Sequence, residues 1–308
     1  MYQVSLDASF IQDMCEFCQC EHTPLMLSQQ ELCDLLEDAM LAREAPGMAD
    51  VDSSLLWLCR KVAEKEQIIL SGECSDEIFG GYPWFYREDL LSRDGFPWSA
   101  DMSVRTLFLK NSFIKDLDLA AYSHDRYQTS LNQAPHLSDE TETERKRYNI
   151  AYLNIKWFMQ TLLDRMDRTS MFSGLEARVP FADRTLVDYV FNIPWEMKAK
   201  DGLVKNILRQ ASKGLLPDEI LFRRKSPYPK TYNPYYENLL AKRLKEVLSD
   251  SASPLHSLLD LKQVTQFLEN PKDYGAPWYG QLMAGPQMIA YLLQIEYFLR
   301  KYNVSIRI

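Results

Sequence analysis

The chain has 308 residues, 46% hydrophobic and 25% charged, the balance of a soluble globular protein that can bury one large core or two modest ones. A formal charge of −8 excludes the basic surface that non-specific nucleic-acid binding requires. No apolar run reaches the length of a membrane span, and the N-terminus lacks a basic segment followed by an apolar one, so a cytoplasmic location is the default expectation.

In chain order, Tyr2, Val4 and Leu6 first alternate as a strand would. Cys15, Cys18, Cys20 and His22 follow in the cluster CEFCQCEH. A structural zinc site normally draws its ligands from two separated knuckles, which this cluster does not offer. Cys15 and Cys18 stand at helical spacing and read as a helix face, with free cysteine acting as a small apolar residue. Ser28 and Glu31 form a capping box that opens a helix to about Arg43, with Leu32, Leu35, Leu36 and Ala39 on one stripe. Pro46-Gly47 lies just beyond its end. A second helix, from about Ser53 to Glu64, turns Leu55, Leu56, Cys59, Val62 and Ala63 inward.

Gln67 to Phe85 is the most informative stretch (QIILSGECSDEIFGGYPWF). Ile68 to Leu70 is an apolar run of the length expected for a strand buried on both faces. Ser71-Gly72 breaks it, and an acidic turn of Glu73, Asp76 and Glu77 begins the next element. A strand that ends in a Ser-Gly turn and enters a helix is where an open α/β sheet presents its ligands. Carboxylates at that edge suit Mg²⁺ carried by a phosphate, although an acidic first turn also satisfies a helix macrodipole. Gly80-Gly81 permits a sharp turn or a close backbone approach.

From Asp101 onward the pattern is almost wholly helical. Helices are expected near 104–116, 118–131, 142–163, 184–191, 202–215, 234–248 and 286–302, the last a core helix with Met288, Ile289, Leu292, Ile295 and Leu299 on its apolar face. Residues 132–139 and 270–286 read as exposed loops.

Three blocks, taken together, resemble one family. Leu70 to Phe85 (LSGECSDEIFGGYPWF), Leu162 to Asp183 (LLDRMDRTSMFSGLEARVPFAD), and Lys205–Arg209 through Leu216-Pro217 to Arg223-Arg224-Lys225 are similar to the signatures of the asparagine synthetase (glutamine-hydrolysing) family, in its order and roughly at its spacing. The resemblance implies an α/β fold, predominantly helical, with an incomplete parallel-sheet adenine-nucleotide-binding core of the ATP pyrophosphatase type. Residues 1–100 are expected to form that nucleotide-binding portion and residues 101–308 the helical remainder. The implied reaction is that of an AMP-forming carbon–nitrogen ligase. ATP with Mg²⁺ is attacked at its α-phosphate by the side-chain carboxylate of aspartate, pyrophosphate leaves, and ammonia made from glutamine elsewhere displaces AMP to give asparagine.

The resemblance also implies roles by position. Leu70, Ser71 and Gly72 contact the nucleoside, Asp76 holds Mg²⁺, and Glu73 assists proton loss from the attacking ammonia. Lys225 supplies fixed positive charge for the reacting phosphate and the departing pyrophosphate, and Arg165 matches a basic active-site position. Asp164 and Asp167 are further acidic candidates, and Glu176 with Arg178 reads equally well as a structural ion pair.

Two features depart from the family. Tyr2 stands where the family's glutaminase domain carries its catalytic cysteine after the initiating methionine. The Ser-Gly-Gly-x-Asp-Ser-Ser pyrophosphate loop has no counterpart, since Met48-Ala49-Asp50 precedes Val51-Asp52-Ser53-Ser54 where two glycines would be needed. Residues 47–54 read instead as an N-cap and helix start. The expectation is therefore the C-terminal part of a synthetase, with an exposed sheet surface closed by a homodimer or by an N-terminal half. The alternatives are a non-catalytic interaction fragment, or a related adenylating enzyme of the β-lactam synthetase kind.

Overall fold

The computed structural model describes residues 7–99, 103–225, 231, 233–269, 277–278, 281–282 and 285–306. The alternating Tyr2, Val4 and Leu6 lie outside the described residues, as does most of the stretch 270–286.

Helix α1 (Ala8–Cys18) opens the described chain and carries no buried residue. Cys15 is half-buried, and Cys18 and Cys20 are exposed, which corrects the reading of this face as apolar packing. Ser28 caps α2 (Gln29–Asp34) with the full capping box: its hydroxyl accepts from the Glu31 N–H, and the Glu31 carboxylate accepts from the Ser28 N–H at 2.9 Å. The single helix expected to Arg43 is broken at Leu35 into α2 and α3 (Leu36–Arg43). A left-handed Glu44 (φ 55°) ends α3, and α4 runs Asp50–Ala63. Residues 47–54 thus form a loop and helix start, with Ala49 at positive φ (52°) in the cap position and no side-chain cap bond.

β1 (Ile68–Leu70) leads into the short helix α5 (Ser75–Phe79). After several short helical turns and Leu119–Leu131, one long helical run follows: α6 (Glu142–Leu153), a π-helical segment Asn154–Met159, and α7 (Gln160–Phe172). This run passes well beyond the expected end near residue 163. Arg165, Met166, Thr169 and Ser170 continue its buried face, and Gly174 (φ 73°) turns the chain out of it. β2 (Glu176–Arg178) then pairs in parallel with β1, placing Ile69 opposite Ala177.

Ile69 and Ala177 pack with Leu55, Cys59, Met166 and Leu175, so α4 and α7 cover one face of the two-stranded sheet. Ile68 and Leu70 point the other way and are 46% and 75% exposed. The expectation of a strand buried on both faces is corrected: only one face is covered among the described residues. Glu176 and Arg178 on β2 form the expected ion pair, at 2.7 Å.

Beyond β2, the helix expected over 202–215 is confined to α8 (Asn206–Ala211), and α9 (Pro234–Ser249) and α10 (Gly285–Lys301) match their expected spans closely. The span 104–116 is divided into Ser103–Thr106 and Asn111–Leu117, the break occupied by a bridge from Leu109 to Leu259. The largest apolar cluster joins Leu32, Leu36 and Ala49 to Tyr236, Leu240 and Leu244 of α9 and Ile289 and Leu293 of α10. The mostly helical molecule therefore carries a small parallel sheet beside its main core. No helix among the described residues is long and apolar enough to cross a membrane.

Candidate active site at the end of the first strand

The chain leaves β1 through Ser71-Gly72. Ser71 stays tied to the sheet, its N–H donating to the Arg178 carbonyl at 2.8 Å, and its hydroxyl accepts from the Glu73 N–H at 3.3 Å. Nothing lies within 4 Å of where a Gly72 side chain would begin, so this backbone is open to a ligand. Cys74 adopts the left-handed conformation (φ 72°) and starts α5. The turn places two acids three residues apart in separate basic settings.

The first setting is Glu73 with Arg165. Arg165 comes from the buried face of α7, and its Nη2 donates to Glu73 Oε1 at 2.8 Å. The other Glu73 oxygen is buried without a hydrogen-bond partner. Met48 touches Arg165 from behind, its sulfur 3.6 Å from Nη1. Met48 is itself held by Asp52, a fully buried carboxylate that accepts its N–H at 2.7 Å and pairs with Arg43 at 3.3 Å. Burial pushes Asp52 up, against the opposing charges of Arg43 and Arg165. Only glycine fits at 47, because a Cβ there would lie 2.0 Å from the Asp52 carboxylate. In the sequence Asp52 stands only as part of the Val51–Ser54 helix start, and nothing there marks it as a buried partner of Met48 and Arg43.

Asp164 joins the outer side of this assembly, between Arg43 at 3.1 Å and Arg168 at 2.7 Å. Arg168 reaches Glu44 at 2.8 Å. Asp164 therefore braces the loop through basic residues. Asp167 enters only through its carbonyl, which accepts from the Ser170 hydroxyl at 3.1 Å.

The second setting is Asp76 between two lysines. Lys205 Nζ lies 2.9 Å from Oδ1 and Lys225 Nζ 2.9 Å from Oδ2. Burial alone would raise Asp76, but the two ammonium groups outweigh it and hold its pKa below the ordinary carboxylate value. Gly81 makes room for the carboxylate, since a Cβ there would sit 1.9 Å from Oδ1. Gly80 (φ 75°) admits the Trp195 ring, which would be 2.5 Å from an added Cβ.

Lys225 also lies 3.5 Å from the centre of the Tyr82 ring, a cation–π contact. Tyr82 stacks on Trp84 and donates its hydroxyl to Glu77 at 2.6 Å. Arg209 of α8 holds the segment before Lys225 through the carbonyls of Leu221 and Arg223. Lys205, Arg209 and Tyr82 all stand within the three sequence blocks, but spacing alone did not single them out.

Leu70, Ser71, Gly72, Glu73, Asp76, Arg165 and Lys225, expected from the sequence, thus gather around one strand end. Among the described residues, no three His, Cys, Asp or Glu side chains converge to hold a metal ion. A cation at Asp76 would have a single carboxylate from the protein and take its remaining ligands from phosphate and water, a set that suits Mg²⁺.

Comparison with known proteins matches residues 3–300 to the asparagine synthase family. Asparagine synthetase (glutamine-hydrolyzing) 3 of Bacillus subtilis is 48% identical over 306 residues, which cover 99% of this chain and 50% of that protein. Asparagine synthetase (glutamine-hydrolyzing) 1 of the same organism is 28% identical over 284 residues, covering 81% of this chain and 44% of the relative. The Homo sapiens asparagine synthetase (glutamine-hydrolyzing) is 25% identical over 215 residues, covering 68% and 29% respectively. The chain spans half or less of the length of these curated relatives.

Proposed function

Because the chain belongs to the asparagine synthase family, we propose that it forms the ATP-using, amide-forming part of an asparagine-synthetase-type ligase. The observation that carries this reading is the pair of charge assemblies, Glu73–Arg165 and Asp76–Lys205–Lys225, at the open end of β1.

In this reading the adenosine of ATP lies against Leu70, Ser71 and Gly72, where Leu70 is exposed and the Gly72 backbone is open. Lys205 and Lys225 pass from the Asp76 carboxylate to the phosphates, and Asp76 is then free to hold Mg²⁺. Bound Mg²⁺ supplies charge compensation on the phosphate oxygens. The lysines stabilise the charge that develops as aspartate's carboxylate attacks the α-phosphate and pyrophosphate departs. Tyr82 and Arg209 keep Lys225 in reach. Glu73, oriented by Arg165 through one oxygen, has its other oxygen free to take a proton from the ammonia that displaces AMP.

Pyrophosphate release tests this reading, with ATP, Mg²⁺, aspartate and an ammonium salt as the nitrogen source. Release should require aspartate and fall about 10²–10³-fold in Lys225→Ala, the loss typical of removing one preorganised electrostatic group. Glu73→Gln should spare pyrophosphate release in the first turnover but block asparagine formation. Release indifferent to aspartate, or undiminished in Lys225→Ala, would overturn the assignment.

A further inference from the structure

The six cysteines fall into two sets. Cys33, Cys59 and Cys74 are buried, and burial pushes their thiols up to about 11, about 11 and about 12. They remain protonated and behave as core atoms. Cys15, Cys18 and Cys20 are instead free thiols at the end of a helix that buries nothing, so core packing does not account for them.

The end of α1 brings two of these thiols together. Gln19 adopts the left-handed conformation (φ 51°) and folds the chain back over the last turn. The Cys20 N–H donates to the Cys15 carbonyl at 3.2 Å, which brings the two backbones together. In this helix ending the residue after the left-handed one returns to the last turn, and the two side chains commonly meet there. Two cysteines whose backbones approach this closely lie within the span a disulfide bridges. No third ligand completes a metal set around them among the described residues.

We propose that Cys15 and Cys20 are a modification site, a dithiol that closes reversibly into an intramolecular disulfide by exchange with a low-molecular-weight disulfide. One protein thiol, deprotonated, attacks the small disulfide; a mixed disulfide forms and a small thiolate leaves and takes up a proton. The second protein thiol, giving up its own proton, attacks the protein-bound sulfur of the mixed disulfide. The Cys15–Cys20 bond forms, and the second small thiolate leaves and is protonated. The protein loses two protons and two electrons, and the small disulfide is reduced to two thiols.

Burial, then the neighbouring Cys20 and Cys18 thiols and Glu16, push Cys15 up, so exchange runs through a minor thiolate and quickens as pH rises. The bridge would lock the far end of a helix that docks near the basic segment of the site. Asp7, just before α1, pairs with Arg223 at 2.7 Å, and Arg223 stacks over the Phe10 ring at 4.9 Å.

The test is oxidation with glutathione disulfide across a series of reduced-to-oxidised ratios, quenched by alkylation and read by peptide mass. It does not depend on the ligase assignment. Wild type and Cys18→Ser should both lose two hydrogens from the peptide carrying Cys15 and Cys20, and dithiothreitol should restore the mass. Cys15→Ser and Cys20→Ser should stop at a glutathione adduct. Stable adducts on Cys18→Ser without closure, a bridge through Cys18 in the wild type, or no oxidation at any ratio would each overturn the proposal.

Discussion

Asp76 and Glu77 are adjacent acids with opposite protonation behaviour, and the contrast has a stability signature. Lys205 and Lys225 outweigh burial at Asp76 and depress its pKa. Its stabilising effect is therefore present above the unfolded carboxylate pKa, about 4, and is lost as pH falls through the lower folded value. Glu77 is 3% exposed, and burial raises its pKa despite the Tyr82 hydroxyl, so the fold disfavours its charged form. That contribution has the other sign: native stability is lost as pH rises from the ordinary glutamate value through the raised one. Glu77→Gln keeps an acceptor for Tyr82 and removes the buried charge. Its melting temperature should equal the wild type's near pH 4 and exceed it at pH 8; a mutant that melts lower at pH 8 would contradict this account.

At the scale of elements, the site depends on how helices begin and how one of them turns. The capping box of α2 satisfies N–H groups that have no partner within the helix, and α2 carries Leu32 and Cys33 into the main core. Ser28→Ala should cost about 1 kcal/mol of unfolding free energy in a urea titration, without a change in slope. The π-helical segment between α6 and α7 has a comparable positional effect. It buries Asn154, whose side-chain amide donates to the Glu77 carbonyl at 3.0 Å, and the run continues into α7 with Arg165 facing Glu73. Single extra-wide turns of this kind recur at functional sites, where they reset the facing of a helix.

For the whole molecule, the sheet has one face under α4 and α7 and the other uncovered among the described residues. Ile68 and Leu70 form an apolar pair on a two-stranded sheet, the kind of surface that recruits another chain. The protein should self-associate reversibly as its concentration rises in sedimentation velocity. Ile68→Lys should weaken that association while leaving the melting temperature within a degree or two, since an exposed substitution typically stays within about 0.5 kcal/mol. A monodisperse wild-type monomer at every concentration would remove this surface from consideration.

Much of this protein is legible in its order of residues, because local chemistry decides it. The capping box at Ser28, the start of α4 without a phosphate loop, the strand at Ile68 and the long amphipathic α9 and α10 all follow from hydrogen-bonding groups and apolar periods a few residues apart. The gathering of Glu73, Asp76, Arg165 and Lys225 was expected only because three sequence blocks resemble one family. Their distances, and the entry of Lys205, Tyr82, Arg209 and Asp52, depend on contacts between residues far apart in the chain. The exposed side of β1 has the same origin. An apolar run has the same composition whether one face or both are covered, and only the packing of neighbouring elements decides which. Likewise, a left-handed residue after α1, which no periodicity announces, brings Cys20 back to Cys15. Secondary structure here was set by near neighbours, and the chemistry of the site by distant ones.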